Sequence, residues 1–352
     1  MLRNYIKIAL RNIRKQKIYS FINILGLSVG IACFILIYLF IEDELSYDLF
    51  HKNKDRLYRL VKVETKPTGE KDYTAYQPVP LAPEIKNDIP VIKRAVRYMQ
   101  PRATVSFKGK SFLENPLLAD PDFLEMFTFT LLKGDPGSAL LNKNSVVISE
   151  QLSKLYFDQE DPLGEVLSIK IGDQTRNYTV TGVLKDVPDN SSISFKMILP
   201  FLAYPYYDKY ISNWGSSRAT TFIELADGIK PADLKENTGT FIEKHFGDRI
   251  RSFQNTGFLS KEDDAFTLYF QPFEDIHFAT GMLSREPASD PVYSYILSVI
   301  ALMVLLLACI NYMTLASGRS MVRIKEVGVR KVLGAGKKQI TGQFLSESVI
   351  FS

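Results

Sequence analysis

The sequence predicts an α+β extracytoplasmic domain with an inserted second subdomain, held between two transmembrane α-helices. Three observations carry this. Charged residues are absent from Ile18 to Ile41 and again from Pro291 to Gly318, and apolar runs of that length suit a lipid core better than a soluble one. The flanks are basic and the middle is acidic: residues 1–17 carry net +6, 319–352 net +5 and 42–290 net −7. Between the spans, short β-branched and aromatic stretches alternate with helical ones, the pattern of a mixed α+β domain.

The first span follows from its length and its flanks. At about 1.5 Å of rise per residue, the 24 positions of 18–41 reach roughly 36 Å, against a hydrocarbon core of about 30 Å. A cleavable secretory signal would have a shorter apolar region and a small-residue cleavage site, and neither is present. Cys33 has Gly30 three positions before it and the apolar residues Phe34 to Ile41 after it, which argues against a lipid-modified cysteine. Lys and Arg beside a span hold that side in the cytoplasm. Glu42-Asp43-Glu44, of the opposite sign, follows the first span. Both ends of the chain are therefore expected in the cytoplasm, with 42–290 outside. The same partition removes nucleic acid as a partner, because the basic pI near 8.7 belongs to the membrane flanks.

Residues 1–17 place Ile6, Ala9, Leu10 and Ile13 at helical spacing, with Arg3, Lys7, Arg11 and Arg14 on other faces. That is an amphipathic helix lying in the membrane interface. Arg11, Arg14, Lys15 and Lys17 are its candidate anchors to lipid head groups.

The outer segment of 249 residues, 42–290, is large for one small core and is expected to divide in two. Strand-like stretches run from Leu57 to Val63, Ala95 to Met99, Ser145 to Ile148, Val166 to Ile171, Tyr178 to Val183, Thr221 to Leu225 and Ala265 to Phe270. Gly172-Asp173 reads as a hairpin turn. Ser149 to Tyr156 can start a helix on the Ser149 hydroxyl, and Pro231 to Phe246 opens with proline in a favoured first turn. With Cys33 and Cys309 both in the spans, the outer domain has no disulfide.

Transmembrane helix 2 is placed at 291–318. It is followed by a basic, glycine-punctuated stretch at 319–338 and the start of a third helix at 339–352. In 319–338, Glu326 and Arg330 stand four apart and can pair along one helix face, and Gly334 can end that helix. The run that begins at Gln339 stops at Ser352, and reads as the start of a third span in a longer chain.

Catalytic and metal chemistry is thinly supplied. His51, His245 and His277 each lack a second His or Cys at ligand spacing. Glu262-Asp263-Asp264 reads as a solvated loop. Gly334-Ala-Gly-Lys-Lys is not a phosphate-binding loop: the earlier glycine is missing and Lys338 stands where Ser or Thr would hold magnesium. No ATPase motif, metal site or cofactor site is expected in the chain, and Trp214 is expected to pack in a core.

Several stretches resemble one family. Ala9-Leu-Arg-Asn-Ile-Arg-Lys-Gln-Lys-Ile-Tyr-Ser-Phe-Ile-Asn-Ile-Leu-Gly-Leu, Cys309-Ile-Asn-Tyr-Met-Thr-Leu-Ala and Arg323-Ile-Lys-Glu-Val-Gly-Val-Arg-Lys-Val-Leu-Gly-Ala are similar to FtsX-like, MacB-type ABC transporter permeases, in the style of Bacteroidota. Between them, Asp122-Phe-Leu-Glu-Met-Phe, Leu132-Lys-Gly-Asp-Pro, Val146-Val-Ile-Ser-Glu, Asp161-Pro-Leu-Gly and Val180-Thr-Gly-Val resemble a MacB-like periplasmic core domain.

The resemblance implies a porter-like part with an insertion at about 106–225. It also implies a multi-pass inner-membrane protein that transmits force from a separate ABC ATPase, which holds the ATP and Mg, to its periplasmic domain. Efflux of a hydrophobic or peptide substrate follows. The implied partners are that ATPase, a second permease copy or half, membrane lipids, and a periplasmic adaptor with an outer-membrane channel. Arg323, Glu326, Gly328, Arg330, Gly334 and Ala335 become candidate ATPase-coupling residues, and Glu42 to Leu49 and Pro287 to Tyr295 the joints. Two alternatives remain open: a two-span periplasmic sensor, and a regulator of cell-wall hydrolases.

Overall fold

The computed structural model describes residues 17–262, 264–334, 336 and 340–342. In chain order the first elements are α1 (Lys17–Leu45), β1 (Leu57–Thr65), β2 (Lys71–Thr74), β3 (Tyr76–Pro78), α2 (Leu81–Asp88) and β4 (Ile92–Met99). Then come β5 (Ala103–Phe107), β6 (Lys110–Glu114), β7 (Leu117–Ala119), α3 (Phe123–Met126), β8 (Leu131–Lys133), β9 (Ser145–Ser149), α4 (Glu150–Phe157) and β10 (Val166–Ile171). The last are β11 (Gln174–Leu184), β12 (Met197–Pro200), α5 (Tyr207–Tyr210), β13 (Ser217–Leu225), α6 (Lys235–Asn255), β14 (Phe266–Pro272) and α7 (Pro291–Val332). The chain falls into two units, one of the helical ends and one of Ser46–Asp290.

In the helical unit, α1 and α7 are both long and apolar enough to cross a membrane, over Ile24–Leu45 and Pro291–Thr314. Most of their large apolar side chains point away from the pair, Leu36 at 68% exposure and Leu307 at 65% among them. Arg11, Arg14 and Lys15 lie outside the described residues; Lys17 opens α1.

The outer unit is built on one fourteen-stranded sheet of order β14-β1-β13-β4-β7-β12-β9-β11-β10-β5-β6, with β2, β3 and β8 added to β1, β13 and β11. Connectivity forces this sheet to curl. β4 and β5 stand six strand spacings apart in the order, about 29 Å if flat, yet the four Cα steps from Met99 to Ala103 reach at most about 14 Å. The β4–β5 link therefore draws β4-β7-β12-β9-β11-β10-β5 into a partly closed barrel. Its core is apolar, from Val105, Val146, Ile169, Tyr178 and Met197.

The rest of the sheet is flanked on both faces, and strand alternation decides what each face holds. On β13, Phe222 joins an aromatic cluster with Phe123, Phe127 and Phe273. Ile223 and Leu225 turn to the other face and pack under α2 and α6 with Ile85, Phe241 and Phe246. Trp214 borders that second core, its ring 4.3 Å from the His245 ring.

Local expectations can be placed on these elements. Ser149 caps α4, its hydroxyl accepting from Leu152 N at 3.2 Å. Gly172-Asp173 is the two-residue turn of the β10–β11 hairpin, with Gly172 at φ 60°. Pro231 opens a 3₁₀ turn that leads into α6. The stretch 106–225 begins inside β5 and ends with β13, which pairs with β1 and β4 and so lies in the flanked half of the sheet rather than in the barrel.

Candidate functional site

A chain with an outer domain between two long apolar helices has to join the helices to each other and the domain to the segments that feed it. The sequence supplies special groups at both places.

In the helical pair, Gly26 and Gly30 lie one turn apart on α1, toward α7. A Cβ on Gly30 would stand 2.6 Å from the Ala308 Cβ, closer than two carbons can approach, and one on Gly26 would stand 3.1 Å from the Asn311 side-chain nitrogen. Small residues at i and i+4 let helix backbones come close where lipid gives no hydrophobic drive for association. The pair forms a Gly-x-x-x-Gly spacing that is already visible in the sequence.

The segment after α1 is fastened inside the outer domain. Asp48 sits at φ 59°. Its Oδ1 accepts from Ser192 N at 2.9 Å and from the Ser191 hydroxyl at 3.4 Å, while its own N–H donates to Asn190 O at 2.9 Å. The Asn190 side chain in turn donates to Ser46 O and Oγ. Burial pushes the Asp48 carboxyl up, opposed by the Ser192 and Ser191 donors. Ser191 is only 4% exposed.

The segment that leads to α7 is fastened as well. The His277 ring stacks on Tyr47 with centroids 3.5 Å apart, and His277 O accepts from Ser289 N at 2.7 Å. Deeper in, Glu286 forms an ion pair with Arg59 at 2.7 Å, both side chains at most 2% exposed. Tyr98 Oη and Ser284 Oγ also hydrogen-bond to that carboxylate. Gln271 Oε1 accepts from Arg59 Nε at 2.9 Å and from its Nη2 at 2.6 Å, and Ser284 Oγ accepts from Nη1 at 2.7 Å. A buried pair is tolerated only when its remaining valences are met in this way. Burial beside Glu286 holds the Tyr98 phenol well above its ordinary range.

His51 is the remaining buried histidine. Its Nδ1 accepts from Thr128 N at 3.0 Å, and the rings of Phe127, Phe129 and Phe273 surround it at 5.0–5.5 Å. Burial pushes it down to about 3, so the ring is neutral.

His245 meets Glu84 and Asp88, whose ligand-capable atoms lie within 4.8 Å of one another. Lys244 Nζ, 2.7 Å from Asp88 Oδ1, already supplies the cation there. Hydrogen bonds from Lys244 and His245 hold the Asp88 carboxyl below its usual range. The grouping reads as an ion-pair cluster across α2 and α6, a proximity that sequence spacing could not reveal.

At the other end of the chain, α7 runs unbroken from Pro291 through Val332, carrying the backbone of Arg323, Glu326, Gly328 and Arg330 in one helix. Gly334 follows at φ 89°, its N–H donating to Lys331 O, a conformation glycine adopts without strain. Ala335 lies outside the described residues.

Against known families, residues 20–240 match the model of the MacB-like periplasmic core domain and residues 298–352 that of the FtsX-like permease C-terminal region. The chain belongs to the MacB/FtsX family of ABC permeases. Over 206 residues it is 27% identical to the ABC transporter permease YknZ of Bacillus subtilis, covering 58% of this chain and 44% of the relative. Over 273 residues it is 24% identical to the macrolide export ATP-binding/permease protein MacB of Bdellovibrio bacteriovorus, covering 76% and 38%. It thus spans less than half the length of these relatives. Among solved structures, a permease domain from Porphyromonas gingivalis is similar at 25% identity and TM-score 0.53, covering 71% of this chain and 98% of that one. These matches are to the permease component, and the outer unit of this family member is the mixed α/β domain between its two apolar helices.

Proposed function

We propose that the chain is a permease subunit of an ABC transporter that transmits force. In this reading α1 and α7 cross the bacterial inner membrane, residues 42–290 lie in the periplasm and the chain ends are cytoplasmic. A separate ATPase binds and hydrolyses ATP. Its motion enters through Arg323, Glu326, Gly328, Arg330, Gly334 and Ala335, while Arg11, Arg14, Lys15 and Lys17 hold the other end at the lipid surface. A second permease copy or half completes the complex, and a periplasmic adaptor with an outer-membrane channel takes the substrate onward. The substrate is hydrophobic or peptidic; relatives named for macrolide and pyoverdine export support efflux.

The observation that carries the reading is the course of α7. One helix runs without a break from an apolar span into a basic stretch and stops at a left-handed glycine. A rigid element of this kind can deliver a push from a cytoplasmic partner to the segment before Pro291, where Glu286 and His277 are anchored in the outer domain. The test is co-purification of the chain from its native membrane. An ABC ATPase is expected in stoichiometric amount, and its absence under mild detergent sinks the proposal.

A further inference from the structure

The mouth of the curled sheet, where the β4–β5 link crosses, opens into two adjoining cavities of about 340 and 530 Å³ that share Gln100 and Arg285. Volumes of this order hold small organic ligands, and barrel mouths are a common place for them. The charge there is reversed relative to the domain. Arg102, Lys196 and Arg285 line the larger cavity, and Arg218 joins Arg285 in the smaller one. Among the described residues, none of these four cations has a carboxylate within ion-pair distance. Arg285 donates to Gln100 Oε1 at 3.4 Å, and Arg218 donates from Nε to Ser216 Oγ at 3.0 Å and lies 4.1 Å over the Tyr210 ring. Glu114 is the sole acidic residue on either wall, and it accepts from Tyr156 Oη at 3.2 Å.

Four cations without acidic partners, converging in a domain of net −7, are a built-in field for an anion. Guanidinium groups pair with planar oxyanions through paired N–H donors. The smaller cavity adds Tyr76, Met99 and Tyr204 as an apolar and aromatic wall. Arg285 is held at the rim by its neighbour Glu286, whose carboxylate is fixed by Arg59 and Tyr98 beneath.

We propose that the barrel mouth is a binding site for a small organic anion, an aromatic or otherwise apolar body carrying a carboxylate, sulfonate or phosphate. The site stands on these residues alone and does not depend on the transport reading. The whole chain in neutral phosphatidylcholine nanodiscs is titrated against fluorescein, an aromatic dianion, by fluorescence polarisation. Rhodamine 123, which has a similar ring system and a positive charge, is the matched control, with empty discs as the blank. Saturable fluorescein binding is expected, weakened at least tenfold by Arg285→Ala and by Arg102→Ala and unchanged by Lys235→Ala on α6. Rhodamine 123 should give no more signal than with empty discs. Circular dichroism melts of the variants confirm that each is folded. No fluorescein binding above empty discs, equal affinity for both dyes, or wild-type affinity in a folded Arg102→Ala/Arg285→Ala variant would each overturn the proposal.

Discussion

Tyr47 and His277 lie 230 positions apart in the chain and stack face to face, planes 12° apart, so the segment that enters the outer domain and the one that leaves it are joined to each other. Each is also fastened inside the domain, the first through Asp48 to the loop at Asn190–Ser192 and the second through Glu286 to Arg59 of β1.

The Asp48 fastening is expected to contribute measurably to stability. Asp48→Ala removes the acceptor for Ser192 N and leaves an alanine at positive φ. It should cost about 1–3 kcal/mol, read as a lower denaturant midpoint for the domain's tryptophan signal. An unchanged midpoint would mean that the segment is not held.

The Glu286 pair should show an asymmetry. Glu286→Ala leaves the Arg59 guanidinium buried without its counter-charge and should destabilise by about 3–5 kcal/mol. Arg59→Met combined with Glu286→Leu should cost clearly less. Equal losses in the single and double variants would show that packing, not charge, decides the site.

His51 predicts a pH dependence. Its folded pKa is depressed to about 3 against an ordinary value of 6.5, so below pH 6.5 the unfolded chain takes up a proton that the folded chain refuses. Stability from this group is full above pH 6.5 and falls by about 1.4 kcal/mol per pH unit as pH drops toward 3. Subtracting the profile of His51→Gln from that of the wild type should isolate a one-proton slope between pH 6 and 4. Parallel profiles would contradict it.

The helix pair has its own test. Gly30→Leu cannot be accommodated against Ala308 and should abolish a disulfide engineered between α1 and α7 that forms in the parent. Ser28→Leu, on a more exposed face, should leave it intact. Topology is read separately by Lys143→Cys in a background lacking Cys33 and Cys309. This exposed site should react with an impermeant maleimide once the outer membrane is opened.

Much of the scaffold could be read from local chemistry. Alternation in Val166 to Ile171 and Tyr178 to Val183, the glycine of the hairpin between them and the Ser149 cap are all decided within a few residues. What escaped reading depends on distant partners. Arg59, Glu286 and Glu224, the last meeting Arg94 and Lys93, look like surface charges in sequence because nothing local says that these three are buried. Short strands such as β3, β7 and β12 carry too few residues for a period to register, and the sheet assembles them by long-range pairing. Of the anticipated site, the helix end at Gly334 was legible because a left-handed residue favours glycine. The stacking of His277 on Tyr47 was not.

In the proposed function a cytoplasmic ATPase drives this chain through the end of α7. The most direct measurement is ATP hydrolysis by the co-purified complex reconstituted in nanodiscs, comparing wild type with Glu326→Arg at equal ATPase content. A fall of at least tenfold is predicted, with the outer domain still folded. Hydrolysis at the wild-type rate in Glu326→Arg would contradict it.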